Sequence, residues 1–456
     1  MLLLLVGSAL GLRAAWMGCE VRDWAASQSE WEALMWERGR LPEGFRAWTT
    51  SLEFTPRELE SSGVVARMNV GAVVSEREVV AAGVYTSNLL VGAPVSIGRR
   101  AMRSREAVRG VCVNNKVSNV RPSSGLGEED ALRVCEAYAS ALGAGTLLPA
   151  STGVIGWALP VSEMIEATSR LREHDSAAAV AAAMMTTDRY PKVARVELEG
   201  GGTIVGIAKG AGMLEPELCA TMLAFIATDV AIDRAELSAA LERVAKRTFS
   251  CVGVDGDEST SDMVVCMSSG VVKSKTGADF EDGLGDVAAQ LAHHLVRNGE
   301  GTNHVVRLAM RSPLDPEEER KVAREVLNGP LFKCAVAGND PNVGRLVGKI
   351  GQVLSRRGHG ELPSFVRLGG EVIFENGSFS LEGKEARIAA HLKEAQLGDP
   401  EIGLPGKSHG LAYPAHGRCV EIEIEYASAP PDRPPTVVLG SDLTHQYVTE
   451  NADYRS

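Results

Sequence analysis

Residues 217–225 read ELCATMLAF, and the apolar run that follows Thr221 continues as IATDVAI to residue 232. One reading of a Thr in that place is the N-cap of an apolar helix, since its hydroxyl can accept from the first free backbone amides. The other is a nucleophile that cuts its own chain. Four further stretches carry chemistry-bearing residues. STGVIG at 151–156 lies between the apolar LLP and LP and reads as a tight loop of small residues, whose backbone N–H groups can be aimed at a developing oxyanion. An ordinary Gly turn is the plain alternative. AKGAGM at 208–213 is a second small-residue loop with one cation, Lys209; it lacks the order GxxxxGK[ST], so a phosphate-cradling P-loop is not supported. RNGEG at 297–301 ends a helix with a Gly stop and leaves the Glu300 carboxylate on a bare turn, free to face a ligand. DPNVGR at 340–345 is Asp-Pro turn chemistry leading into a helix with Arg345 in its first turn, and NADYRS at 451–456 reads in isolation as a frayed end.

These loops need elements to hold them. VARVELEGGGTIVGIA at 193–208 alternates into a triple-Gly turn and out again, which predicts a hairpin. VEIEIEY at 420–426 alternates apolar and acidic residues and predicts a strand with one wet face; the Pro-rich PPDRPP at 430–435 separates it from the next strand. Helical periodicity runs through 128–141, 233–247 and 284–297. Strands in excess of a simple βαβ rhythm predict an α+β layered fold.

Bulk properties narrow the partners. The chain has 456 residues, of which 45% are hydrophobic, enough for a sizeable core. A formal net charge of -12 argues against nucleic acid and anionic membranes, both of which are polyanionic. The eight Cys are scattered singly with no CxxC pair, which suits reduced thiols and neither a zinc site nor a disulfide framework. His293 and His294 are neighbours in a helical stretch and point about 100° apart, so they do not share a metal. The N-terminal MLLLLVGSALGLRAAWM is too short to span a bilayer comfortably and reads as a secretory segment, an organelle leader or a mis-assigned start.

Taken together and in order, the motifs resemble the ornithine acetyltransferase family, the glutamate N-acetyltransferases of the cyclic arginine pathway. The likeness runs from GFRAW at 44 to the last residue, anchored on STGVIG at 151, MTTDRYPK at 185, AKGAGM at 208, ATMLAFIATD at 220, RNGEG at 297, NDPNVGR at 339 and NADYRS at 451. It implies a layered α/β/β/α sandwich of the N-terminal-nucleophile kind. It also implies self-cleavage between Ala220 and Thr221, giving an α chain over 41–220 and a β chain over 221–456, preceded by an extension or targeting leader over 1–40. By the same resemblance, Thr221 is the nucleophile, Thr152 and Gly153 form the oxyanion hole, and Lys209, Thr221, Glu300, Asn451 and Ser456 bind substrate. Acetyl passes from N-acetylornithine to glutamate through an acetyl-threonine, with no bound cofactor and with acetyl-CoA as a further candidate donor. Two α and two β chains are the implied assembly, and the mitochondrial matrix the implied location, with the cytoplasm as alternative.

Several positions depart from the family pattern. Arg189 stands in TTDRYPK where a Thr of the substrate shell is usual, Lys116 replaces a Gly in NNKVSN, Ser261 an Asn in STSDMV, and Val343 a Trp. One residue more than usual separates Pro216 from Thr221. Two other functions remain open to such a chain: an N-terminal-nucleophile aminopeptidase or amidase, and a non-catalytic family member.

Overall fold

The computed structural model describes residues 25, 27–215, 222–273, 277–398, 413 and 416–452. In chain order its elements are α1 (Gln28–Arg38), β1 (Phe45–Phe54), β2 (Ala66–Tyr85), α2 (Ala93–Ser104), β3 (Val108–Asn114), α3 (Gly127–Ala141), β4 (Leu147–Ser151), α4 (Val161–Ala167), β5 (Arg172–His174), α5 (Ala178–Ala183), β6 (Lys192–Glu197), β7 (Thr203–Lys209), β8 (Leu223–Val230), α6 (Arg234–Arg247), β9 (Val252–Gly253), β10 (Met263–Val272), α7 (Gly277–Arg297), β11 (Val305–Arg311), α8 (Pro316–Leu327), α9 (Pro330–Ala337), α10 (Val343–Arg356), β12 (Phe365–Leu368), β13 (Glu371–Glu375), β14 (Ser378–Phe379), α11 (Glu385–Ala395), β15 (Val420–Glu425), β16 (Thr436–Ser441) and α12 (His445–Ala452). Mixed sheets with helices packed on them make the fold α+β, as the strand-rich sequence predicts.

The chain divides into two compact units. The larger takes residues 27–250 and 257–295 and holds a sheet whose main path runs β4-β3-β2-β10-β8-β7-β6, with β1 and β5 added through β2. β2 is twenty residues long and serves twice: its first half pairs with β1 and β3, and its last residues pair with β10. The expected hairpin is β6–β7 in antiparallel register, turning through Gly201 and Gly202, both at positive φ as a tight reversal requires. α3 buries Ala131, Val134, Cys135, Tyr138 and Ala139, the i, i+3, i+4, i+7 and i+8 set of one helix face, in a core with Leu52, Phe54, Met68 and Trp157. α1 buries Trp31 and Met35, so the part of the N-terminal extension from residue 28 onward is a packed helix of this unit.

Of the described residues the smaller unit takes 25, 251–256, 296–398, 413 and 416–452, with a sheet in the order β14-β13-β12-β15-β11-β16-β9. β15 alternates buried and half-buried residues, as VEIEIE predicts, and the Pro-rich stretch falls between β15 and β16. α8 lies on β16 and β11.

Two expectations change. The run from Leu223 is a strand and not the helix that an N-cap would open. β8 is buried along its whole length between β7 and β10, which accounts for its being apolar on both faces and for its Phe225, Ile226, Thr228 and Val230. α7 begins at Gly277, seven residues ahead of the expected start. The glycines of its first turns hide its periodicity, and Gly283 packs close to the turn between β6 and β7: a Cβ would lie 2.4 Å from Leu198 Cδ2, which would have to shift. Among the described residues no helix is long and apolar enough to cross a membrane.

Candidate active site

In the larger unit the candidate groups stand at strand ends. β8 enters the sheet at Leu223, and the register sets Lys209 of β7 opposite Leu223 on one side and Met263 of β10 opposite it on the other. The Met222 N–H donates to Asp262 Oδ1 at 3.0 Å, and the Met222 carbonyl accepts from Met263 N–H at 3.2 Å. The residue just after Thr221 is therefore fixed on both its peptide groups. Ala220 and Thr221 themselves lie outside the described residues.

Lys209 is 3% exposed, and its ammonium donates to Thr152 Oγ1 at 3.1 Å. The structure thus brings together two residues that stand 57 apart in sequence. Thr152 follows the end of β4, and its backbone N–H is bonded to the Asn114 carbonyl at 3.0 Å. That corrects the sequence expectation in one respect: the amide of Thr152 is spent on its neighbour strand, and the group left to donate is the hydroxyl, whose lone pair takes Lys209 and whose proton meets no acceptor among the described residues. The Gly153 N–H meets no acceptor among the described residues. Gly153 has φ +124°, and a Cβ there would sit 2.2 Å from the Lys116 carbonyl carbon, so only glycine fits. Lys116 itself has φ +69°, a left-handed conformation that a Gly adopts without cost and a Lys only with strain. The loop is pinned by Ser151 Oγ donating to Asn114 Oδ1 at 2.7 Å and by Ser118 Oγ donating to the Val154 carbonyl at 2.8 Å.

Sequence reading missed the charges behind Lys209. Asp188 and Lys192 form an ion pair with neither side chain exposed, and Asp188 Oδ1 also accepts the Gly210 N–H at 2.8 Å. Burial opposes ionisation of Asp188, but the ammoniums of Lys192 and Lys209 and the Gly210 N–H hold its carboxyl well below the usual carboxylate range. The signal was present as an acid four residues before a base in TTDRYPK, yet nothing in the string says that both are buried. Asp262 was missed as well. Its second oxygen is buried without a hydrogen-bond partner among the described residues, and burial pushes its carboxyl well above the usual range.

The smaller unit brings together Glu300 and Asn451. Glu300 is buried on the turn after α7, and its Oε2 accepts from Asn451 Nδ2 of α12 at 2.7 Å. Of the two glycines flanking it, Gly301 is required: with φ +62°, a Cβ there would meet the Tyr447 nitrogen of α12 at 2.3 Å. Asp442 takes the Asn303 N–H at 2.9 Å and His304 Nδ1 at 2.8 Å, and so braces the segment beyond Glu300. Arg345, in the first turn of α10, donates to the Leu331 carbonyl at 3.0 Å and serves helix packing, the plain reading of DPNVGR. Ser456 lies outside the described residues.

Comparison with known proteins gives a consistent result. A sequence model of the ArgJ family matches residues 59–456. The chain is 34% identical over 431 residues, 91% of its own length and 99% of the relative's, to the arginine biosynthesis bifunctional protein ArgJ of Nitratidesulfovibrio vulgaris. It is 35% identical over 418 residues, with the same coverages, to the ArgJ of Thermus thermophilus. It is 34% identical over 308 residues, 65% of this chain and 77% of the relative, to the glutamate N-acetyltransferase of Methanocaldococcus jannaschii. Among solved structures, the ArgJ of Bacillus halodurans matches with TM-score 0.41 and 28% identity, covering 50% of this chain and 97% of that one. The Mycobacterium tuberculosis ornithine acetyltransferase complexed with ornithine matches with TM-score 0.32 and 29% identity, covering 39% and 94%.

Proposed function

The chain belongs to the ArgJ family, whose named relatives are acyltransferases of arginine biosynthesis, and from that premise we propose that it carries acetyl from N-acetylornithine to glutamate on Thr221. Cleavage comes first. The Thr221 hydroxyl oxygen attacks the Ala220 carbonyl carbon, the peptide C–N bond breaks as its nitrogen takes up a proton, and water opens the resulting ester. The freed α-amine, with a reference pKa of about 7.7–8.0, is partly neutral at working pH and takes the proton from its own hydroxyl.

In transfer, the Thr221 oxygen bonds to the acetyl carbon of N-acetylornithine, and the amide nitrogen leaves with a proton as ornithine. The glutamate amine then attacks the ester, N-acetylglutamate departs, and the hydroxyl is restored. The Gly153 N–H and the Thr152 O–H are the donors for the oxyanion, each worth on the order of a hundredfold in rate. Lys209 draws the substrate α-carboxylate; Glu300, with Asn451 and Ser456, receives the ornithine ammonium. Acetyl-CoA can feed the same ester, its thioester sulfur leaving in place of the amide nitrogen. Two α and two β chains complete the proposed enzyme.

The observation that carries this reading is the buried Lys209 ammonium on Thr152 Oγ1, on a strand in register with the residues that follow Thr221. The test is the denatured mass of the purified protein beside Thr221→Ala, followed by an acetyl-transfer assay. Two fragments meeting at Ala220 and Thr221, absent in the control, with transfer from N-acetylornithine to glutamate, are expected. A single uncut chain without transfer would sink the proposal.

A further inference from the structure

The acyltransfer reading uses Lys209 and leaves idle the charge pair packed beside it. Asp188 Oδ1 receives Lys192 Nζ and the Gly210 N–H, and its Oδ2 receives the Thr186 N–H at 3.1 Å. Lys209 is near enough for its charge to act on Asp188, yet its ammonium is bonded to Thr152. Two cations beside one carboxylate in a dry place compete for it, since attraction there is far stronger than in water. Lys192 holds that carboxylate, from the first residue of β6 and opposite Ala208, the residue before Lys209.

We propose that Lys192 and Asp188 are positioning residues for Lys209: Lys192 occupies the carboxylate so that the Lys209 ammonium stays turned to Thr152, and Asp188 holds the Gly210 peptide that fixes the end of β7. Two ammoniums against one carboxylate leave one positive charge over the three side chains, and the geometry places that surplus on Lys209. A carboxylate-bearing substrate is what such a surplus recruits. This inference rests on the acyltransfer reading for its meaning, though its geometry can be tested without it.

The experiment is a crystal structure and steady-state kinetics of Lys192→Met, which keeps the side-chain length and removes the charge. Lys209 Nζ is expected to leave Thr152 and pair with Asp188, with KM for both substrates raised about tenfold or more and kcat changed less, as for a lost charge-assisted hydrogen bond. Two double variants remove both charges and guard against a misfolded single one. In Asp188→Asn/Lys192→Met the Asn oxygen can still accept from Gly210, with the Thr186 N–H giving up its acceptor to the Asn NH2, so Lys209 stays on Thr152 and KM stays within about threefold, the small change expected when both partners of a buried pair are neutralised. In Asp188→Ala/Lys192→Met the Gly210 N–H is released and KM rises. Lys209 remaining on Thr152 in Lys192→Met, or two double variants that behave alike, would overturn the proposal. If the wild-type protein transfers no acetyl group, the functional reading fails on that result alone, while the position of Lys209 in the crystals still decides this one.

Discussion

The two units hold their candidate charges in different ways. In the larger one the cation is built in: Lys209 ends β7, a strand paired on both sides, is 3% exposed, and meets a hydroxyl at the end of another strand of the same sheet. In the smaller one the anion sits on a turn, and its partner Asn451 is an exposed residue of the eight-residue helix α12, near the end of the chain. Groups carried on paired strands are fixed by the ladder, whereas short terminal helices owe their order to docking and fray easily. On the roles proposed above, the carboxylate site of the first unit is the rigid one and the ammonium site of the second the more yielding.

Lys209→Met attacks the rigid half and has the largest expected effect. Losing a charged donor in a dry site costs about 1.5–3 kcal/mol, roughly tenfold to a hundredfold in kcat/KM. Both substrates carry an α-carboxylate, so both should suffer; steady-state kinetics with each substrate varied in turn checks this. A loss confined to one substrate would break the assignment of Lys209 to the shared carboxylate.

Glu300→Gln tests the other half and should discriminate. The amide oxygen can still accept from Asn451, so the turn stays in place, but the charge offered to an ammonium is gone. KM for N-acetylornithine should rise by about tenfold, the loss of one charge-assisted contact, while KM for glutamate moves by no more than about threefold. Equal rises for both would make Glu300 a structural group. Asn451→Ala removes two hydrogen bonds of an exposed residue, to Glu300 and to the Tyr447 carbonyl, of which only the first reaches the candidate site, and a fall of only about threefold to tenfold in kcat/KM is expected. A loss as large as that of Lys209→Met would show the terminal helix to be as rigid a part of the site as the sheet.

Much of this was legible in the sequence, for reasons that differ by element. The β6–β7 hairpin and β15 announce themselves because one face of each is wet, and alternation survives. β8 could not be told from a helix, since a strand covered on both faces loses its alternation, and only its β-branched and aromatic residues favoured a strand. Thr152, Gly153, Lys209 and Glu300 were pointed to by the family resemblance that the motif loops carry in order, since each loop taken singly reads as well as an ordinary turn. Asp188, Lys192 and Asp262 stayed hidden, since burial turns an ordinary surface charge into a positioned one and a string of letters carries no burial.

A last charge cluster supplies a baseline for the smaller unit, because it touches no candidate site residue. Glu318 of α8 accepts from Arg357 Nε and Nη2, each at 2.7 Å, and meets His359 Nε2 at 2.9 Å. The Arg357 guanidinium foremost, against partial burial and with help from His359, draws the Glu318 carboxyl down to about 2. A carboxyl whose folded pKa lies below its unfolded value of about 4.3 stabilises the fold above that value. The contribution fades as pH falls from about 4.3 toward about 2, as protons take the carboxylate from the guanidinium. Glu318→Gln should therefore unfold at lower urea than the parent at pH 7, by about 1 kcal/mol or less, since the cluster is partly solvated. The gap should close as the pH approaches 2, and acetyl transfer at pH 7 should be unchanged. A gap that persists in acid would mean the side chain acts through packing. A loss of transfer would mean that charge anywhere in this unit bears on Glu300, and the contrast between the two halves would have to be redrawn.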